Sequence, residues 1–197
     1  ITMNFINVKK NPKETYLVDQ PGKHIFFIYN HSGKINIDIN VSNAEVFIYG
    51  LFVGRGRDDF YLNTIQHHTQ PNSLSDLFIK GVFFDDSRFI YEGLIRLEKQ
   101  AQNSHAYQKN QNLMMSKNSF IDSRPFLEIL ANDVFCTHGS TTGRLNKDEL
   151  QYLHSRGLKI KQAEDLLISG FINDLVLKLK EHGIEEEIKE YTKINNY

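Results

Sequence analysis

The single cysteine of the chain lies two residues before a histidine, in the order Cys136-Thr137-His138. Alternate residues of a β-strand point to the same face, so in a strand the thiol and the imidazole project together. Such a pair can bind a soft or borderline metal or a nascent metal cluster, or it can act as a nucleophile and its base. The spacing is also compatible with a cysteine packed in the core and a histidine at a turn before Gly139.

A second group of candidate residues is the pair His67-His68, which precedes Pro71. Adjacent residues of a strand face opposite sides, so a regular strand does not allow these two rings to chelate one ion together. The sequence therefore predicts that each ring makes a local hydrogen bond or lies at the surface.

Other short motifs predict turns rather than chemistry. Gly54-Arg55-Gly56 lacks the Lys-Ser/Thr that follows in a P-loop, and no helical pattern comes after it. The carboxylate pairs Asp58-Asp59 and Asp85-Asp86 stand in turn-like sequence, so we expect solvated turn residues rather than an acid–base dyad. The sequence contains no serine elbow, nucleotide-binding motif or metalloprotease signature.

The elements that position these groups fall into two parts with different hydrophobic periods. Up to about Thr142 the apolar residues alternate or run in short blocks, and the segment Lys34–Val41 alternates almost strictly, as a half-buried strand does. Turn residues separate the blocks, which from Leu77 onward recur about every 10–12 residues and so predict a sandwich, a barrel or a solenoid. Further strands are predicted at Glu45–Val53, Leu77–Phe84, Phe89–Leu97, Ser104–Gln108, Asn112–Ser116 and Phe126–Leu130.

The polar residues of the predicted strands are often neutral, and this favours a solenoid. Stacked coils place like residues above one another, where amides and hydroxyls can hydrogen-bond and charges would repel. The residues concerned are Asn103, Ser104, Gln108, Asn110, Gln111 and Asn112. Periodicity alone does not separate a solenoid from a sandwich.

After Gly143 the period becomes that of helices. Asn146 is a predicted N-cap, with Glu149 three residues later, and Gly157 suits the position after a helix end. A longer helix is predicted over Lys161–His182, with Ile184–Tyr191 as a third piece anchored by Ile188. The stripe of the long helix is predicted to comprise Ala163, Leu167, Phe171, Leu175 and Leu179.

Composition excludes several classes of protein. The 197 residues are 40% hydrophobic and carry a net charge of −1, so no bulk attraction to nucleic acid is expected. One cysteine excludes an internal disulfide and fits a reducing compartment. No apolar run approaches the roughly 20 residues that span a bilayer, and the first residues contain no signal-peptide core. We expect a soluble intracellular protein without a membrane partner.

Several motifs stand in a fixed order along the chain: Lys80-Gly81-Val82-Phe83, Gln100-Ala101-Gln102, Asn110–Met115, the run Leu127–Gly143, and Leu153-His154-Ser155-Arg156-Gly157-Leu158. In sequence and in order they resemble the SufB/SufD family of iron–sulfur cluster assembly proteins. The chain is shorter than members of that family commonly are, so we expect a fragment or a compact member.

Within the family, two positions are more similar to SufD than to SufB. SufB-like proteins carry a Glu directly after the histidine of the motif, where this chain has Gly139. They also carry a functional cysteine in the preceding strand, where this chain has Asn110. The SufD histidine that is proposed to face SufB across the subunit interface is matched by His138.

The resemblance implies a right-handed parallel β-helix, which we place at residues 1–143, followed by C-terminal α-helices at residues 144–197. It implies a scaffold subunit without turnover of its own, which pairs with a SufB-like subunit or with itself and docks a SufC-type ABC ATPase. Because the last strands of a β-helix have exposed edges near its open end, we expect the pairing surface at about Phe126–His138. The ATPase dock is predicted to include Leu150, Leu153, Leu167 and Phe171.

The resemblance also implies that no cofactor is tightly bound. Iron or a transient iron–sulfur cluster at a subunit interface is expected, with Cys136 and His138 as the candidate ligands. The expected location is the cytoplasm, or the plastid stroma in a plastid-bearing eukaryote. Two alternatives stay open: a homodimeric β-solenoid interaction module, and a hydrolase or transferase that uses Cys136 and His138.

Overall fold

A computed structural model of the chain describes residues 3–191, which form eleven β-strands and three α-helices. The strands are β1 (Met3–Asn7), β2 (Thr15–Val18), β3 (Gly22–Tyr29), β4 (Gly33–Ile39), β5 (Ala44–Gly54), β6 (Asp59–His68), β7 (Leu74–Phe83), β8 (Arg88–Leu97), β9 (Ser104–Met114), β10 (Phe120–Ile129) and β11 (Val134–Gly143). The helices are α1 (Lys147–Ser155), α2 (Ile160–Glu181) and α3 (Glu185–Ile188).

The strands alternate between two parallel sheets, so the chain winds as a β-solenoid. The six-stranded sheet has the order β1-β3-β5-β7-β9-β11, and the five-stranded sheet has the order β10-β8-β6-β4-β2. Every strand pairs in parallel with the strand two positions away along the chain. A sandwich would pair its strands mainly antiparallel, so the solenoid expectation is confirmed.

The corners of the coils repeat one backbone conformation. Asn43, Asn72 and Asn103 stand one or two residues before β5, β7 and β9 with φ values of 62°, 57° and 56°. Asparagine tolerates this left-handed region better than most residues. The Asn43 amide donates to the Asn72 carbonyl oxygen at 3.0 Å, which joins successive corners. In the preceding coil, Gly22 at the start of β3 has a φ of 111°, and its amide donates to the Asn43 carbonyl oxygen at 3.2 Å.

The turn predictions on the opposite corner are confirmed in the main, although Gly54 ends β5 and Asp59 begins β6. Gly56 and Asp85 have φ values of 56° and 52°, and the Gly56 amide donates to Asp85 Oδ2 at 2.8 Å. Asp85 and Asp86 are both exposed. The Asp85 carboxylate therefore connects neighbouring corners, and both residues face solvent, as the sequence predicts for turn residues.

The strand boundaries differ from the prediction in one instructive place. The predicted strands Ser104–Gln108 and Asn112–Ser116 are a single strand, β9, because Gln108, Asn110 and Asn112 are buried and face the interior. A polar stretch that looks like a break is therefore a continuous strand with amides inside the solenoid. Strands β1, β2, β3 and β6 also lie outside the blocks that the sequence singled out.

Helix α2 packs against the outer face of the six-stranded sheet. Its buried residues are Ala163, Ile168, Ile172, Leu175 and Leu179, so Leu167 and Phe171 of the predicted stripe lie at the edge of the packed face. The sheet supplies Phe27, Tyr49, Phe78 and Val82 to this cluster. The helical tail and the solenoid thus share a second core outside the coils.

The predicted helix ends are largely confirmed. Asn146 caps α1 by accepting from the Asp148 amide at 2.9 Å, and Gly157 follows the helix with φ 94°. Helix α3 is short, and its anchor Ile188 is buried. Among residues 3–191, each helix is too short or too polar to reach across a lipid bilayer.

Candidate functional site at the open end of the solenoid

The last coil, formed by β10 and β11, leaves two strand edges unpaired in the described part of the chain. β10 pairs only with β8, and β11 pairs only with β9. The opposite edge of each strand carries backbone N–H and C=O groups that can pair with another strand. This end of the solenoid is therefore open to a partner.

The register places Cys136 and His138 on the inner face of this open coil. Cys136 is the partner of Ala106 and His138 is the partner of Gln108, and both of those β9 residues are buried. The prediction that the two side chains share one face is confirmed. His138 is exposed, whereas Cys136 is half-buried and packs against a small cluster that contains Ile95, Leu97 and Ala106.

The environment of Cys136 favours the neutral thiol. Burial raises the pKa of the thiol to about 11, and the thiolate is the form that binds metals and attacks electrophiles. Within residues 3–191, no cluster of three or more His, Cys, Asp or Glu side chains is arranged to hold a metal ion. In the described part of the chain, the open rim thus brings together two potential donor side chains, Cys136 and His138.

A row of buried amides lies directly beneath this rim. Gln66 Nε2 lies 3.5 Å from Gln108 Oε1, Gln108 Nε2 donates to the Gly93 carbonyl at 3.3 Å, and Asn110 Nδ2 donates to Ser123 Oγ at 3.0 Å. Gly93 makes room for this row, because a Cβ atom there would collide with Gln108 and with the Tyr91 hydroxyl. The first coils are apolar inside, so the interior becomes polar towards the open end.

Large apolar side chains surround the open end. They are 39–65% exposed, which is unusual for so many neighbouring residues of a folded chain. Sequence reasoning placed the pairing surface at about Phe126–His138, and the structure locates that segment in the last coil. The exposed side chains of this patch are Phe126, Leu127, Ile129, Leu130 and Phe135.

The four predicted docking residues divide into two groups. Leu167 and Phe171 line a groove of about 400 Å³ on α2, whose walls also include Leu166 and Gly170. Leu150 and Leu153 are half-buried on α1 and do not line this groove. Sequence reasoning did not include Leu166 in the dock, although about half of its side chain is exposed.

The two adjacent histidines face opposite sides, as predicted. His67 faces outward between two carboxylates, with Nδ1 2.9 Å from Asp38 and Nε2 3.1 Å from Glu98. The hydrogen bond from His67 is the main cause that lowers the pKa of Glu98. His68 faces inward, and its ring nitrogens lie 2.7 Å from Ser73 Oγ and 2.8 Å from Ser75 Oγ. Each ring therefore has a local structural role.

Comparison with known proteins gives a consistent family signal. Residues 30–171 match the family model described as "SUF system FeS cluster assembly, SufBD core domain". The chain is 34% identical over 109 residues to the iron–sulfur cluster assembly protein SufD of Escherichia coli, covering 55% of this chain and 26% of that protein. It is 32% identical over 165 residues to SufD of Bacillus subtilis, covering 79% and 38% respectively.

A plant relative is also similar. The chain is 29% identical over 104 residues to the chloroplastic protein ABCI7 of Arabidopsis thaliana, covering 53% of this chain and 22% of that protein. The chain thus spans between about a fifth and two fifths of the length of these three relatives.

Proposed function

The chain belongs to the SufB/SufD family of iron–sulfur cluster assembly proteins and is SufD-like, and we propose that it is a scaffold subunit without catalytic turnover of its own. In this proposal it pairs with a SufB-like subunit through its open last coil and docks a SufC-type ATPase through its helices. The proposed place of work is the cytoplasm, or the plastid stroma in a plastid-bearing eukaryote.

The observation that carries the pairing is the open last coil, with two free strand edges and an exposed apolar patch. A partner strand on either edge would satisfy its backbone groups. Full burial of a large apolar side chain contributes roughly 1.5–3 kcal/mol. Since the five side chains of the patch are already about half-buried, covering them contributes on the order of 5 kcal/mol in total.

Pairing would also change the surroundings of His138. This ring now lies at an exposed rim, above the amide row and beside a largely protonated thiol. A second subunit placed over the rim would enclose the ring and could add the ligands that two donors lack. His138 would then bind iron or transfer a proton during cluster assembly. Cys136 would mainly pack against the small apolar cluster beneath it.

The ATPase dock rests on the groove beside α2. The groove is mainly apolar, and Leu166 at its margin is exposed. An apolar side chain from the ATPase would fill this groove, with the polar groups of Arg144 and Glu149 at the rim. A conformational change driven by ATP hydrolysis in the docked subunit would then be transmitted through α2 to the sheet on which this helix packs.

The experiment that tests the pairing uses charged substitutions at the two ends of the same sheet. Leu127→Asp changes the exposed patch on β10, and Leu17→Asp changes a similarly exposed residue on β2 at the opposite edge. We expect Leu127→Asp to abolish co-purification with a SufB-like subunit and Leu17→Asp to preserve it. Retained pairing by Leu127→Asp would contradict the proposal, and self-association alone would favour the homodimeric module.

A further inference from the structure

A lysine is buried between α2 and the six-stranded sheet. Lys80 points outward from β7, and its side chain is only 4% exposed. Its Nζ lies 3.0 Å from Asp174 Oδ2 on α2, and 4.0 Å and 5.2 Å from the ring centroids of Phe171 and Phe78. Lysine is almost never buried to this degree unless it is paired. The contact between the helix and the sheet thus encloses a charge.

A second ion pair joins the same two elements with the opposite polarity. Lys178 of α2 lies 3.3 Å from Asp76 of β7, so the strand supplies the cation in one pair and the carboxylate in the other. If α2 moved by one turn along the sheet, it would bring Lys178 towards Lys80, or Asp174 towards Asp76. Both alternatives place like charges together. The two ion pairs of opposite polarity therefore favour a single register of α2 on the sheet.

We propose that Lys80 and Asp174 form a latch that seats the middle of α2 on the solenoid and that opens from the Asp174 side. The Asp174 side chain is 51% exposed, so solvent or a docked protein can reach it, whereas Lys80 is enclosed. When Asp174 is removed, the lysine charge stays between two rings without its counter-ion. Moving α2 outward relieves this state, because the ammonium group then reaches water.

The surroundings of Lys80 support this asymmetry. Burial lowers the pKa of Lys80, and the hydrogen bond to Asp174 opposes that change. Lys109 is a second nearby cation, with its Nζ 5.4 Å from the Phe78 ring on the same sheet face. An apolar residue of similar length at position 80 would keep the contacts with Phe78 and Phe171 and would need no counter-ion.

The latch is also linked to the groove described above. Phe171 covers Lys80 and lines the groove, and Asp174 lies one helical turn further along α2. Opening the latch would therefore change the shape of the groove. This link rests on the proposed function, because it matters only if the groove docks the ATPase. The latch itself does not depend on that role.

Hydrogen exchange of the full chain tests the latch. We expect Asp174→Ala to accelerate amide exchange in α2 by about tenfold or more, while the strands keep their protection. Lys80→Met and the double variant Lys80→Met/Asp174→Ala should exchange like the wild type. Asn173→Ala is the matched control, since it changes the neighbouring exposed residue of the same helix.

Two results would overturn the latch: unchanged exchange in Asp174→Ala, or equal acceleration in Lys80→Met. Affinity for the ATPase, measured on the same variants, separates the two proposals. Weaker binding by Asp174→Ala with normal binding by Lys80→Met supports the link to the groove. If the wild type does not bind the ATPase while the exchange pattern appears, the docking role fails and the latch holds.

Discussion

Acidification should destabilise this fold through one buried imidazole. His68 is fully buried, and both of its ring nitrogens engage serine hydroxyls. Burial, with a smaller contribution from the neighbouring His67, lowers the pKa of His68 to about 4. The unfolded chain has its ordinary histidine pKa of about 6.5. On acidification the unfolded chain therefore binds this proton before the folded chain does.

The sign and the size of the effect follow from that difference. The contribution of His68 to stability is fully present above about pH 6.5 and is lost as the pH falls towards 4. One pKa unit corresponds to about 1.36 kcal/mol. The difference between the unfolded-state pKa of about 6.5 and the folded-state pKa of about 4 therefore corresponds to a loss of about 3 kcal/mol in the free energy of unfolding. The free energy of unfolding should fall by up to about 1.4 kcal/mol for each pH unit in this range.

Urea unfolding from pH 7 to pH 4.5 measures this slope. In His68→Asn the slope of the unfolding free energy against pH should decrease by the contribution of about one proton. At pH 7 the variant should be less stable, because Ser73 and Ser75 each lose a hydrogen-bond partner. Carboxylates titrate in both proteins, so their effect cancels in the comparison. His154→Asn, which makes the same substitution at an exposed histidine of α1, is the matched control. Equal slopes in the wild type and His68→Asn would refute the reasoning.

Two further predictions concern the interior and the groove. Gly93→Ala should cost roughly 1–3 kcal/mol of stability in thermal or urea unfolding, because the added methyl group collides with Gln108 and Tyr91. Gly139→Ala adds a methyl group that meets no atom within 4 Å and should be close to neutral, so equal effects of the two substitutions would contradict the packing argument. Leu166→Asp should abolish ATPase co-purification while the melting temperature stays near that of the wild type, and unchanged co-purification would remove the groove from the dock.

The sequence predicted strands best where burial alternates. Lys34–Val41 alternates almost strictly, and it corresponds to β4 at Gly33–Ile39. Strand β9 was divided in two, because inward amides look like a break when only the apolar residues are followed. Solenoid and sandwich share the same period of two, and only the pairing partners distinguish them. Local periodicity contains no information on those partners, which the family resemblance supplied.

The candidate site was predicted in part. The shared face of Cys136 and His138 follows from strand geometry, and the register confirmed it. The raised pKa of Cys136 depends on burial by residues far away in sequence, so spacing could not reveal it. In the sequence, Lys80 is only part of a motif, because its counter-ion Asp174 stands on a helix more than ninety residues later. Such contacts depend on how α2 packs on the sheet.

Cluster assembly in a reconstituted complex tests the central claim most directly. The chain would be combined with a SufB-like subunit and a SufC-type ATPase, and cluster yield would be followed by visible absorbance after addition of iron and sulfide. We predict that His138→Ala lowers the yield strongly while the melting temperature and ATPase binding stay near the wild type, and that Cys136→Ser has little effect. A full yield with His138→Ala would contradict a functional role of His138 and leave a purely structural scaffold. An equal yield when this chain is left out would contradict the scaffold role itself.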